Sequence, residues 1–318
     1  IACSCFAILP KCGSSSGSEK QTSFWEIQWK KVLNSLSVVV KECYDKNISK
    51  AGSEELHLKT IPVVEPQRTE TCVLRIKFLF KCLDLMLNNE SSKTVNIPLD
   101  STIAIIYTIL AVNEKPFENK VGLESILLKS SICAVHLSAI KFLSSLILRC
   151  GMNLLFCSKI TSMIVRELSC TKCSEKIDGF EQKYSELRSA LYDCVQYMVH
   201  VNSSLGESSE AMKTIIRHII EDIKPRVTTT KLLTPTASTS KTPSHGKKAK
   251  RKRIQDDVNQ LNRTEQKTDN HANKNLCLSG LKALNTVILN GGNDISDALE
   301  EVQVFVVTLL LKCQQIST

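Results

Sequence analysis

The stretch "DGFEQKYSELRSALYDCVQYMVHVN", residues 178–202, decides the fold. Phe180, Tyr184, Leu187, Leu191, Cys194, Met198 and Val201 follow one another at steps of four and three. At about 3.6 residues per turn, that spacing lays all seven on one face of a helix. A seam sustained over six turns needs a neighbouring surface to bury it.

The same period recurs in both directions. Upstream, "SFWEIQWKKVLNSLSVVVKEC" opens with Ser23 and Glu26 at capping-box spacing and sets Trp25, Trp29, Leu33, Leu36, Val40 and Cys43 on one face. "CVLRIKFLFKCLDLMLNN" predicts a second helix, and "IPLDSTIAIIYTILAV" a third that starts at Pro98 and Asp100. "SSICAVHLSAIKFLSSLILRCG" is the most apolar helix. Its polar strip is only Ser138, Lys141, Ser145 and Arg149, and it stops at Gly151. A helix wetted so narrowly must lie between neighbours. "MNLLFCSKITSMIVRELS" follows after a very short turn, which predicts that these two helices are antiparallel partners. Further helices are expected from about Ser209 to Ile223, in "NLCLSGLKALNTVILNGG" and in "DISDALEEVQVFVVTLLLKC". Short turns, no strand pattern and no exact repeat predict an all-α, armadillo- or HEAT-like α-solenoid of degenerate repeats. A compact all-α domain is the alternative.

Composition agrees with helices. Of 318 residues, 42% are hydrophobic and 23% charged, with only 11 Gly and 8 Pro. The net charge of +9 is concentrated: residues 226–274 hold twelve Lys or Arg against four Asp or Glu. This segment, rich in Thr, Ser, Lys, Pro and Asn, reads as a disordered basic linker. Three regions are therefore expected: a helical-repeat domain over 1–223, the linker over 224–275, and a C-terminal helical pair over 276–318 packing on the repeats. A folded body near neutrality does not suit a nucleic-acid groove, so any RNA contact would be auxiliary.

Within the linker, Lys247, Lys248, Lys250, Arg251, Lys252 and Arg253 form a short cationic run that an import receptor could read as a nuclear localisation signal. Thr234-Pro235 and Thr242-Pro243 are candidate proline-directed phosphorylation sites whose phosphates would weaken its field.

Fourteen cysteines suggest disulfides at first sight. Many, such as Cys82, Cys133, Cys194 and Cys277, take apolar positions in helical patterns, which reads as reduced core thiols of a cytosolic or nuclear protein. "CTKC" at Cys170 and Cys173, with Cys194 and His200 downstream, has half of a zinc pattern. Cys194 already belongs to the helical seam, so free thiols are favoured over a metal. There is no Gly-rich phosphate loop, no G-x-S-x-G and no H-E-x-x-H, and the six histidines are scattered. His136, on an apolar helix, reads as a core or groove residue rather than a base. No enzyme activity and no cofactor are expected. No apolar run of about 18 residues is free of charge, so no membrane span is expected. The first residue, Ile1, suggests a fragment.

Leu-rich near misses to L-x-x-L-L occur at Leu123–Leu127, Leu83–Leu87 and Val306–Leu310. Each reads as ordinary helix core.

The order of "CFAILPKCG", "FWEIQWKKVLNSL", "FLFKCLDLML", "VNIPLDSTIAIIYTIL", "HLSAIKFLSSLILRCGMNLL" and, past the basic linker, "LCLSGLKALNTVILNGG" resembles the proline-, glutamic acid- and leucine-rich protein (PELP) family. These are metazoan relatives of the fungal Rix-type pre-rRNA processing factors. The resemblance implies a non-enzymatic scaffold of the nucleus, nucleolus and nucleoplasm for large-subunit (60S) maturation and pre-rRNA processing. It implies as partners a WD-repeat propeller protein, a second helical-repeat subunit, a SUMO-specific protease, a nuclease–kinase module and an AAA ATPase of the pre-ribosome, together with homodimerisation. Vertebrate members also act as nuclear-receptor coactivators. The exact L-x-x-L-L boxes and the long Pro- and Glu-rich stretch of the family are absent from these residues, which weighs against coactivation here.

Overall fold

The computed structural model describes residues 2–12, 18–44, 55–89, 95–114, 122–151, 157–172, 181–201, 209–224, 271–290 and 296–317. Among these, every regular element is a helix and there is no strand. We number the helices α1 (Ala2–Cys12), α2 (Ser18–Tyr44), α3 (Gln67–Asn88), α4 (Leu99–Ala111), α5 (Leu123–Cys150), α6 (Cys157–Cys170), α7 (Ser185–Val201), α8 (Ser209–Ile223), α9 (Lys274–Asn290) and α10 (Ser296–Ser317).

The helical seams become core. In α7, Leu187, Leu191, Cys194 and Met198 are buried as the spacing predicts, whereas Tyr184 precedes the helix, Val201 is half-buried and Phe180 lies outside the described residues. Tyr192, Val195 and Val199 are buried too, because α7 lies between α5 and α9. In α2 the predicted face from Trp25 to Cys43 is buried throughout. Trp25 stacks on Trp29 at 4.9 Å, and Trp29 meets Phe142 of α5 at 6.1 Å. Aromatic pairs of this kind add about 0.5–1.5 kcal/mol beyond area burial. α2 begins at Ser18, five residues before the predicted cap at Ser23. α5 likewise starts at Leu123, two turns before the apolar run that announced it. Gly151 ends α5 with φ +54°, a left-handed turn that its missing Cβ permits, and its N–H donates to the Ile147 carbonyl.

α5 is long and apolar enough, by composition, to cross a bilayer. Most of its apolar surface is instead covered, because α3, α4 and α7 surround it.

The substantial helix contacts follow one rule. α1, α3, α5, α7 and α9 each touch the next of that series, and so do α2, α4, α6, α8 and α10. Cross-contacts join α1 with α2, α2 with α3, α4 with α5, α6 with α7 and α8 with α9. The expected antiparallel pairing of α5 with α6 is therefore wrong. Their backbones stay apart, since each spends its apolar face on other partners, and they meet through a side-chain pair described below.

Ten cysteines, Cys82, Cys133, Cys194 and Cys277 among them, are free thiols. Cys82 and Cys194 are fully buried, whereas Cys133 and Cys277 are half-buried. Burial pushes the Cys194 thiol up to about 12, which keeps it protonated and inert.

Candidate functional site

The basic run Lys247, Lys248, Lys250, Arg251, Lys252 and Arg253 and the two threonines, Thr234 and Thr242, lie outside the described residues, as does Cys173. Cys170 is exposed at the end of α6, Cys194 is in the core, and His200 is exposed. Among the described residues, no group of three or more His, Cys, Asp or Glu could hold a metal.

The polar chemistry of the body is concentrated where α4, α5, α6 and α7 converge. His136 of α5 and Glu167 of α6 are both buried, with Nδ1 and Oε1 2.7 Å apart. The carboxylate orients the ring by taking the Nδ1 side. Nε2 is buried and has no hydrogen-bond partner among the described residues. The pair lines a cavity of about 220 Å³, whose apolar walls include Leu110, Ile132 and Leu187. Arg166 also lines it, with its guanidinium 4.8 Å from the centroid of the Tyr107 ring and its Nη2 unpartnered.

At one edge of the cavity Glu114 accepts hydrogen bonds from the Tyr184 hydroxyl and from Lys183 Nζ at 3.0 Å, with Lys129 Nζ at 3.5 Å. Burial works to raise the Glu114 pKa, but the Tyr184 and Lys183 hydrogen bonds and the two lysine charges outweigh it and hold the carboxyl below its ordinary range. Burial, with Glu114 alongside, pushes the Tyr184 phenol up to about 12.

A second polar cluster binds α6, α7 and α8 together. Buried Arg188 donates from Nε to Asp222 Oδ2 at 2.6 Å and from Nη1 to the Leu168 carbonyl at 2.7 Å and Thr171 Oγ1 at 3.1 Å. Its Nη2 donates to the Tyr192 hydroxyl, which in turn donates to Asp222 at 2.7 Å. Burial holds the Tyr192 hydroxyl well above its ordinary range, so it remains a donor. Charge and hydrogen bonds close on themselves here, which marks the cluster as structural. Sequence reasoning missed Glu167, Arg188 and Asp222. A signal existed: each sits among apolar residues at helical spacing, Glu167 with Ile160 and Ile164, and Asp222 with Ile215 and Ile219.

The Leu-rich near misses divide. Leu83 and Met86 are core, as expected. Leu123 and Ile126 are 56% and 65% exposed, and Leu310 is 59% exposed. Those two boxes are surface rather than core, because Leu123 and Ile126 stand on the first turn of α5, ahead of its buried stretch, and α10 has neighbours on one side only.

No family model matches the chain. Two curated proteins do, each across 99% of it: mouse proline-, glutamic acid- and leucine-rich protein 1, 26% identical, and its Xenopus laevis counterpart, 28% identical. Along nearly its whole length the chain is thus similar to the proline-, glutamic acid- and leucine-rich proteins. It spans 29% and 32% of the length of these two relatives. Neither name describes an enzyme.

Proposed function

We propose that the chain is a non-enzymatic α-solenoid scaffold of armadillo or HEAT type, acting in a nucleolar complex that matures the large ribosomal subunit and processes its precursor RNA. The observation that carries the solenoid is the order of helix contacts, which runs in two parallel series joined by cross-pairs. Stacked helix pairs produce that order, and they present extended faces on which other proteins can assemble. The ribosomal role rests on the family that the chain resembles. In this reading the partners are a WD-repeat propeller protein, a second helical-repeat subunit, a SUMO-specific protease, a nuclease module and an AAA ATPase. Lys247 to Arg253 engage an import receptor.

The deciding experiment is gradient sedimentation of nuclear extract, probed for this chain. Co-migration with precursor large subunits is expected, and its absence from every precursor fraction would reject the ribosomal role. Alanine at all six basic positions should leave a tagged protein in the cytoplasm. A second reading, a transcriptional coregulator using Leu-rich helices, is favoured by the exposure of Leu123 and Ile126. Ligand-dependent receptor binding that is lost on Leu123→Ala/Ile126→Ala would support it instead.

A further inference from the structure

We infer that the cavity between α4, α5, α6 and α7 binds a carboxylate, gripped by Arg166 and His136. This goes beyond the scaffold reading and does not depend on it.

The starting point is the separation of α5 from α6. Two helices without substantial backbone contact, bridged by His136 and Glu167, leave space beside that pair, about 220 Å³ of it. Liquid water occupies about 30 Å³ per molecule, so the space is that of a small organic group. Two polar groups in its lining are left without partners among the described residues. Arg166 Nη2 is one; a guanidinium can only donate, so its partner must be an acceptor. His136 Nε2 is the other, on a ring whose side chain is 5% exposed and whose Nδ1 is committed to Glu167. A buried polar group left unmet is unfavourable, so a ligand that satisfies both is favoured.

Charge selects the ligand. The Glu167 carboxylate faces His136, and Glu114 is taken by Lys183, Lys129 and Tyr184. Arg166 has no carboxylate partner among the described residues; it rests against Tyr107, and Lys159 approaches the same ring at 5.7 Å. The described lining therefore holds one guanidinium without a carboxylate partner, which matches a single carboxylate group. A phosphate dianion would ask for more cations. The apolar walls from Leu110, Ile132 and Leu187 suit the methylenes that carry a carboxylate. Once bound, the carboxylate accepts from Arg166 Nη2 and from an Nε2–H of the His136 ring, which then lies between two carboxylates. Its source is either an acidic side chain of a peptide or a free organic acid.

The test is calorimetric titration of the 318-residue chain with glutarate, with an acetylated, amidated tri-glutamate peptide, and with the tri-glutamine peptide. Binding of glutarate or of the glutamate peptide, with none of the glutamine peptide, is expected; which of the two binds identifies the source. Arg166→Gln and His136→Gln should each weaken binding at least tenfold. Ala111→Trp, which fills the space from an exposed position on its wall, should abolish binding while leaving the helical circular-dichroism signal unchanged. Ala111→Trp decides the matter if either polar variant fails to fold. No binding of either acid to the wild-type chain, or binding that Ala111→Trp leaves intact, overturns the proposal.

Discussion

α7 and α10 carry similar amounts of Leu, Val and other apolar residues, yet they end in opposite environments. Leu191, Val195 and Val199 of α7 are fully buried. In α10 Val302 is buried, while Val304, Val307, Leu310 and Leu311 are 56–69% exposed. The difference is one of neighbours: α7 has α5, α6 and α9 around it, and α10 has α8. Apolar content therefore predicts that a helix forms and has a face to hide, but whether that face is covered depends on position within the stack.

Three experiments break or sharpen this contrast. The largest effect is expected from Arg188→Met. It would take the cationic partner from buried Asp222 and a donor from the Leu168 carbonyl, and losing one partner of a buried pair costs about 3–5 kcal/mol. Urea unfolding should show it as a fall in midpoint. Next comes one substitution made in both helices. Leu191→Ala should cost about 2–5 kcal/mol, and Leu310→Ala less than about 0.5 kcal/mol, by the same measurement. Equal losses would mean that α10 is covered. The smallest effect belongs to Glu114→Gln. Because the Glu114 carboxyl is held below its ordinary pKa of 4.5, its ionised form stabilises the fold at neutral pH. That contribution is whole above pH 4.5 and disappears as pH falls through the lower, folded-state value. The lysines around Glu114 are well exposed, so the gap between wild type and variant at pH 7 should be below about 1 kcal/mol. It should close on acidification.

Much of the helical architecture was legible in periodicity. The buried faces of α2 and α7 and the stop at Gly151 follow from spacing and from one residue's backbone freedom. Which helices touch was not legible. A short connection between α5 and α6 suggested a hairpin, but α5 has apolar residues on nearly all sides and is claimed by α3, α4 and α7. The cavity was hidden for the same reason, since it exists only because that hairpin does not close. His136 could be placed in the core from its neighbours, whereas its partner Glu167 lies 31 residues away and needed the fold to bring it near. The run from Lys247 to Arg253 is the reverse case: it lies outside the described residues, and the expectation of a nuclear localisation signal there rests on the sequence alone.

Every substantial helix contact links elements one or two places apart in the chain. Among the described residues nothing of that size ties α1 to α10, so a load pulling these two helices apart meets no clasp between them. Such a body yields like a zip, releasing helices in succession from whichever end has the weaker grip, and at the C-terminal end that grip is the junction of α10 with α8.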